Sequence, residues 1–179
     1  SSESSINVAS DPRYDVPVKA INDAYNTGKQ LEAMTQTAAD AVKQLVQSKT
    51  IASDYKKMIK KLDDDKAYKS ELKSIGEMTK RIDEVIAMYI GTIDKRQGIT
   101  RNPEITVMNR IRSASGYARS RPNGLTSTET TLISHARNEL QTALDKTNTF
   151  FAEEWAPFES TLKAMNVSAF KEIKTFTID

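Results

Sequence analysis

The chain has 179 residues, of which 26 are basic and 24 acidic, so its formal net charge is only +2. It contains no cysteine and a single histidine, His135, which excludes disulfides, cysteine nucleophiles and metal centres built from thiolates or several histidines. Glycine and proline are scarce and aromatic residues make up 7% of the chain, a composition that favours long helices over a sheet-rich fold. The near-balanced charge argues neither for nor against a polyanionic partner.

Residues 1–13 are rich in serine and are predicted to form an extended linker ahead of a single helical domain, 14–179. The first helix is expected to start near Pro17, because proline is tolerated in the first helical turn. Apolar and small residues then recur every three or four positions, which indicates a helix that faces a core. These positions are Ile21, Ala24, Gly28, Leu31, Thr35, Ala38, Val42 and Leu45, widened by Tyr25, Met34 and Ala41.

The apolar pattern of the first helix resumes at Ile51 and continues to Leu62. Lys49 and Lys56, however, occupy positions where a strict seven-residue repeat would place apolar side chains. Two explanations stay open: the buried face drifts around the helix with its natural period of about 3.6 residues, or the helix bends near 48–53.

A second helix is predicted from about Lys66 to Asp94, after an aspartate-rich turn at 63–65. Gln97-Gly98 is expected to end it, because glycine is common just beyond helix C-termini. Its apolar stripe is the most regular in the chain and consists of Tyr68, Leu72, Ile75, Thr79, Ile82, Ile86, Tyr89 and Ile93.

A third, shorter helix is expected to begin at Asn102-Pro103-Glu104, where a capping residue precedes a proline suited to the first turn. A fourth should follow the turn at 121–124, with Thr126 and Glu129 spaced as a capping box. The apolar stripe of the third helix consists of Ile105, Met108, Ile111, Ala114 and Ala118.

The fourth helix is predicted to be long, with an apolar stripe that continues on both sides of Pro157. Because proline disrupts the interior of a helix, a kink or a restart is expected there. Apolar residues between Val167 and Phe176 indicate a short final helix that caps the bundle.

These segments predict an all-α fold, an antiparallel bundle of about four long helices with a short C-terminal capping helix. No apolar run approaches the ~20 residues of a membrane span, and the N-terminus lacks the features of a signal peptide. The small residues along the first helix also permit a homodimer.

A run of basic residues between Lys95 and Arg121 is a candidate for contacting phosphates or another polyanion. Tyr117 is its single aromatic residue, which is too few for a base-stacking platform, so nucleic acid is the less favoured partner. A solvated face paired with acidic neighbours is the alternative interpretation. The candidate polyanion-binding residues are Arg96, Arg101, Arg112, Arg119 and Arg121.

A ligand pocket near the only tryptophan is a second candidate site. Aromatic residues at helical spacing also build ordinary cores, so a packed core is the competing interpretation. The candidate pocket residues are Tyr89, Phe151, Trp155 and Phe158. No catalytic motif, phosphate-binding glycine loop or metal-ligand pair is present in the sequence, which therefore predicts no enzyme, no cofactor and no metal.

Several short motifs follow one another in an order that resembles a known family. The layout is similar to the C-terminal helical region of exported bacterial proteins with a sialidase-like or sortilin-like β-propeller. Phe158 matches a Phe-Asn pair of that family, but Glu159 stands in place of the asparagine. The motifs are Ile6-Asn7-Val8, Asp11-Pro12-Arg13, Asn102-Pro103-Glu104, Met108-Asn109-Arg110-Ile111 and Trp155-Ala156-Pro157-Phe158.

The resemblance implies export to the periplasm or the cell surface and a role as an accessory domain. The chemistry of that family belongs to its propeller, so the resemblance assigns no catalytic residue to this chain. The main hypothesis is therefore a non-catalytic accessory or interaction domain whose partners are the preceding domains of a larger protein, or another protein. The alternatives are a polyanion-binding adaptor and a helical sensor that binds a ligand.

Overall fold

The computed structural model describes residues 3–6, 9, 11–13, 15–62, 65–92, 105–121, 124–165 and 167. A 3-10 turn, Asp65–Tyr68, precedes the second helix, and a π-helical segment, Phe150–Trp155, joins the last two helices without a break. The predicted all-α helical bundle is confirmed. The helices are α1 Val18–Ile59, α2 Lys69–Ile90, α3 Val107–Arg119, α4 Ser127–Thr149 and α5 Ala156–Ala164.

The helices form three rods that pack side by side. One rod is α1, the second consists of α2 and α3, and the third consists of α4, the π segment and α5. α2 runs antiparallel to α1, with Lys49 Nζ 2.6 Å from Asp83 Oδ1. α2 is also antiparallel to the rod formed by α4, the π segment and α5, because Tyr89 meets Thr147 while the N-terminal part of α2 lies beside Phe158. α3 then continues in the direction of α2, alongside the N-terminal halves of α1 and α4. The middle rod in chain order therefore consists of two helices, α2 and α3.

α1 is one continuous helix of 42 residues, and its buried positions keep a strict seven-residue interval. Its buried positions do not drift around the helix, whereas the bend considered from the sequence stays a prediction. A strict interval of seven requires the neighbouring rods to wind slowly around α1 in a left-handed sense. The buried and half-buried positions within α1 are Ala20, Ala24, Thr27, Leu31, Met34, Thr35, Ala38, Ala41, Val42, Leu45, Ser48, Lys49, Ala52, Ser53, Tyr55, Lys56, Met58 and Ile59.

Four residues that the sequence placed on the core face of α1 are exposed instead: Ile21, Tyr25, Gly28 and Ile51. Each lies one position beside the seven-residue series. On one flank the expected stripe was too wide only at the N-terminal end of α1, because Ile21 and Gly28 continue at seven-residue spacing to Thr35 and Val42, which are half-buried as expected. Lys49, which interrupts the expected stripe, is half-buried and reaches Asp83 on α2.

α2 buries the predicted stripe, with Ile75, Ile82 and Tyr89 in the core. The predicted C-terminus is wrong, however, because the helix ends at Ile90. Gly91 follows it with a φ of 80°, a conformation that glycine adopts without the steric penalty of other residues. Gln97-Gly98, the expected end, lies outside the described residues.

α3 begins at Val107, later than the sequence predicted. The capping residue is Thr106, whose side-chain oxygen accepts a hydrogen bond from the backbone N–H of Asn109 at 3.2 Å. Asn102, the expected cap, lies outside the described residues. Because Ile105 precedes the helix, it is not on the core face as expected and its side chain is 65% exposed.

The π segment Phe150–Trp155 settles how the fourth predicted helix passes Pro157. The backbone N–H of Ala156 donates to the carbonyl of Phe151, five residues earlier. Proline has no N–H and its ring clashes with the carbonyl four residues before it in a regular helix, so the wider π turn relieves that clash. The helix does not break at Pro157. It passes through the π turn, and α5 begins directly after that turn, at Ala156.

The π segment also changes the spacing of the buried residues. Through α4 and α5 the buried residues are spaced three or four positions apart, but Trp155 follows Phe150 by five. This spacing is one residue longer than the regular spacing of four. In a regular helix the extra residue would rotate the apolar face of α5 away from the core, and the π turn accommodates it. Within this pattern two series at intervals of seven are Glu129, Ala136, Ala143 and Phe150, then Trp155 and Leu162.

Two predicted segments contribute little to the described structure. The described residues within 1–13 form no helix or strand, and the division into a linker and a helical domain stays a prediction. The predicted capping helix after Val167 lies outside the described residues.

A buried hydrogen bond joins α2 to α4 in the core. The hydroxyl of Thr147 donates to the carbonyl of Ala143 at 2.8 Å, so the hydroxyl of Tyr89, 2.7 Å away, donates to Thr147. Burial of Tyr89, which is 0% exposed, raises the pKa of its hydroxyl.

This geometry predicts an asymmetry between two substitutions. Thr147→Val leaves the buried Tyr89 hydroxyl without an acceptor and should cost ~1–3 kcal/mol, whereas Tyr89→Phe loses one hydrogen bond and should cost ~0.5–1.5 kcal/mol. The double variant should be about as stable as Tyr89→Phe alone. Urea unfolding followed by far-UV circular dichroism measures all three, and additive costs would contradict the prediction.

Candidate functional site

The outward face of α3 is the candidate functional site. Val107, Ile111 and Ala114 turn toward the core and are buried. Short polar residues and a glycine recur on the opposite face, where they leave room above the helix. The result is a depression of about 680 Å³, called here the α3 groove. It is lined by Ile105, Asn109, Arg110, Arg112, Ser113, Gly116, Tyr117 and Ser120.

Two large apolar side chains stand at this groove. Ile105, just before α3, is 65% exposed, and Tyr117, near its end, is 52% exposed. Gly116 lies beside Tyr117, and a Cβ atom built on Gly116 would meet nothing within 4 Å. The groove is therefore open at its floor and flanked by apolar side chains.

Two arginines also line the α3 groove, and they differ from other arginines of the structure. Arg13, Arg81 and Arg121 each bind a carboxylate. Within the described residues, Arg110 and Arg112 make no ion pair, and the buried Nε atom of Arg110 has no hydrogen-bond partner. The groove thus carries two positive charges that the described part of the chain does not neutralise.

A second groove of about 760 Å³ lies between α1 and α3 and is called here the α1–α3 groove. Arg119 and Arg121 line it from the α3 side, while Tyr25, Gly28 and Glu32 line it from α1. It therefore contains residues of α1 that the sequence placed in the core. Arginines and a glutamate both border it, so its charge is mixed.

Arg121 already has a partner within the fold. Its Nε lies 3.2 Å from Oε1 of Glu129, whose side chain is fully buried. The other carboxylate oxygen accepts from the hydroxyl of Thr126 and, at 2.8 Å, from the backbone N–H of Thr126. The Thr126 side chain also accepts a hydrogen bond from the backbone N–H of Glu129, and together these bonds confirm the predicted capping box of α4.

The same bonds shift the ionisation of Glu129. The hydroxyl of Thr126, its backbone N–H and the guanidinium of Arg121 together lower the pKa of Glu129 from 4.5 to about 2, although burial opposes this. Glu129 therefore stays ionised at the start of α4, where the helix dipole favours a negative charge.

The predicted polyanion-binding residues are distributed over different surfaces. Arg112 lines the α3 groove, while Arg119 and Arg121 line the α1–α3 groove. Arg96 and Arg101 lie outside the described residues. Arg112 and Arg119 are seven residues apart and therefore lie on the same side of α3, two turns from each other, although they border different grooves.

The predicted pocket residues lie mainly in the core. Tyr89, Trp155 and Phe158 are buried, and Phe151 is half-buried. The rings of Trp155 and Phe158 are 5.5 Å apart, and Phe151 stacks edge-on with Phe150 at 5.3 Å. Phe158 also borders a small depression of about 160 Å³ between α2 and α5.

A charged depression borders the π segment. The guanidinium of Arg81 donates to both carboxylate oxygens of Glu154 and to Glu84, at 2.8 to 3.1 Å. Hydrogen bonds to Glu154 and then to Glu84 raise the pKa of Arg81. These charges are matched to one another, and the pairing ties α2 to the π segment.

The α3 groove combines residues that the sequence interpreted separately. The sequence places Arg112 and Tyr117 within the basic run, whereas it predicts Ile105 in the core. The small residues Ser113, Gly116 and Ser120 recur every three or four positions opposite the apolar stripe. That spacing was a usable signal for an open outer face.

The shifted pKa of Glu129 predicts how the stability of the protein depends on pH. A carboxyl whose pKa is lower in the folded state stabilises the fold above its unfolded pKa of 4.5, and this contribution is lost as the pH falls toward 2. The melting temperature of the unsubstituted chain should therefore exceed that of the Glu129→Gln variant above pH 4.5. The difference should shrink below that pH.

Thermal unfolding across this pH range measures the effect, and Glu153→Gln controls for the loss of one exposed carboxylate. A difference between the unsubstituted chain and Glu129→Gln that does not change with pH would contradict the prediction.

Comparisons with known proteins identify no relative of this chain. No family model matches it, and no curated protein and no solved structure shows significant similarity to it. In the described part of the chain, no three acidic or histidine side chains are placed to hold a metal ion. No helix of that part has both the length and the apolar character that crossing a membrane requires.

Proposed function

We propose that this chain is a non-catalytic interaction domain, an accessory module of a larger exported protein. The observation that carries the proposal is the α3 groove, where Ile105 and Tyr117 are exposed around a floor of small residues. A partner that covered this surface would bury two large apolar side chains.

The energetic argument concerns the exposed apolar area. Fully burying a side chain of this size contributes ~1.5–3 kcal/mol. Aromatic anchors that enter a pocket are typical of residues that dominate binding energy in protein interfaces. Tyr117 also has a hydroxyl that can remain hydrated at the rim, which suits a residue at the edge of an interface.

The exported, accessory context is supported by the sequence motifs alone. The order from Asp11-Pro12-Arg13 to Trp155-Ala156-Pro157-Phe158 resembles helical regions that accompany β-propellers in exported bacterial proteins. On that basis the partner is a neighbouring domain of the same protein or a separate protein.

A polyanion-binding adaptor remains the second candidate function. The absence of an ion pair at Arg110 and Arg112 within the described residues favours it. A polyanion would use charge along an extended surface, and Arg112 and Arg119 lie two turns apart on one side of α3.

The proposal predicts that binding depends on the two apolar residues of the α3 groove. Peptides are selected from a displayed random library against the purified chain, and their dissociation constants are measured by fluorescence anisotropy. Tyr117→Ser and Ile105→Ser should each weaken binding by about tenfold or more, since each removes a buried apolar anchor.

Tyr25→Ser is the matched control, because Tyr25 is 65% exposed but lines the α1–α3 groove. It should leave the dissociation constant unchanged, and circular dichroism should show that all three variants keep their helices. If no saturable binder is selected, or if Tyr25→Ser alone weakens binding, the proposed function at the α3 groove is wrong.

A further inference from the structure

We infer that the α3 groove binds an acidic amphipathic helix of its partner, an inference that rests on the proposed interaction function. Glutamate or aspartate side chains of that helix bind Arg110 and Arg112, and its apolar side chains pack on Ile105 and Tyr117.

The charge of the groove points to an anionic partner. The described residues that line it include two arginines and no acidic residue. Among the described residues neither arginine has a carboxylate partner, whereas Arg121, on the adjacent groove, binds the buried Glu129. A guanidinium presents several N–H donors in a flat fork, a geometry that suits a carboxylate.

Arg110 strengthens this argument because it is partly removed from water. Its Nε is buried and lacks an acceptor, although the side chain lines the groove. A charge in such surroundings interacts more strongly with an opposite charge than one that is fully hydrated. An incoming carboxylate therefore gains more at Arg110 than at an exposed lysine.

The shape of the groove fits a helix. α3 has 13 residues and is about 20 Å long, enough to lie against a helix of about four turns. Ser113, Gly116 and Ser120 form a floor without large side chains, so a second helix can approach closely. Ile105 and Tyr117 lie near the two ends of α3, where apolar residues about three turns apart on the partner can reach them.

The apolar flanks favour this partner over a polyphosphate. Phosphate backbones are recognised by extended positive surfaces, and bases by several stacked aromatic rings. The lining of the groove within the described ranges has two arginines and one aromatic ring. Arg119, which an extended polyanion would also be expected to use, lines the other groove.

The peptides selected for the proposed function test this inference by their composition. They should be enriched in glutamate and aspartate, with apolar residues every three or four positions. Arg112→Glu should weaken their binding by about tenfold or more, because it replaces an ion pair with a repulsion. Arg119→Glu makes the same change of charge on the same helix but at the α1–α3 groove, and it should have little effect.

Further measurements test the contact with Arg110, the role of the peptide glutamates and the helical form of the bound peptide. Arg110→Gln should also weaken binding, and its melting temperature shows whether the substitution disturbs the fold. Replacing the glutamates of a selected peptide with glutamines should reduce its affinity and the dependence of that affinity on salt. Circular dichroism of the complex should show a gain in helix.

Selection of neutral or basic peptides that still require Tyr117 would overturn this inference and leave the proposed function standing. Failure to select any binder would remove both. If heparin binds the chain, Arg112→Glu and Arg119→Glu weaken that binding equally, and no acidic peptide is selected, then the partner is a polyanion and the inference is wrong.

Discussion

The narrow seam of small residues along α1 is the constraint on which the rest of the structure depends. At intervals of seven, alanine alternates with leucine from Leu31 to Leu45, and Ala52 and Ile59 extend the series. Alanine allows a neighbouring backbone to come close, while leucine fills the space between rods. Because this seam runs the length of α1, both neighbouring rods must follow it.

The middle rod follows that seam as two helices, and this division creates the candidate site. α2 ends at Gly91 and α3 begins at Thr106. α3 is short, and its apolar face is fully used against α1 and α4. Its outer face therefore has no packing role within the described bundle, which explains why small residues and unpaired arginines are tolerated there. The candidate site is the face of α3 that packs against no described helix, and the residues between the buried positions of α3 determine its shape.

The fold class and several helix boundaries could be predicted because local chemistry decides them. The stripe of α2 and the capping box of α4 depend on residues within one or two turns of each other. The exposed Ile21 and Tyr25 could not be predicted in the same way, because their burial depends on how closely a neighbouring rod approaches α1. Ile105 was misplaced for a related reason: the position of the first turn of α3 decides whether that residue faces the core.

Gly91 and Gly98 illustrate the same limit at the end of a helix. Each is a glycine near the end of an apolar stripe, and local chemistry allows either to follow the last turn. The choice depends on where α2 stops contacting its neighbours, which the sequence does not state. For the candidate site, the residue types and their spacing were visible, but their meeting in one groove required the orientation of α3.

The π turn between α4 and α5 has a consequence for the history of the gene. A helix that acquires one codon within a seven-residue series would normally rotate everything after it by about 100°. Here the extra residue is confined to Phe150–Trp155, and the apolar faces on both sides still point inward. Such a turn lets a long coding sequence change length by a single codon without loss of the downstream core.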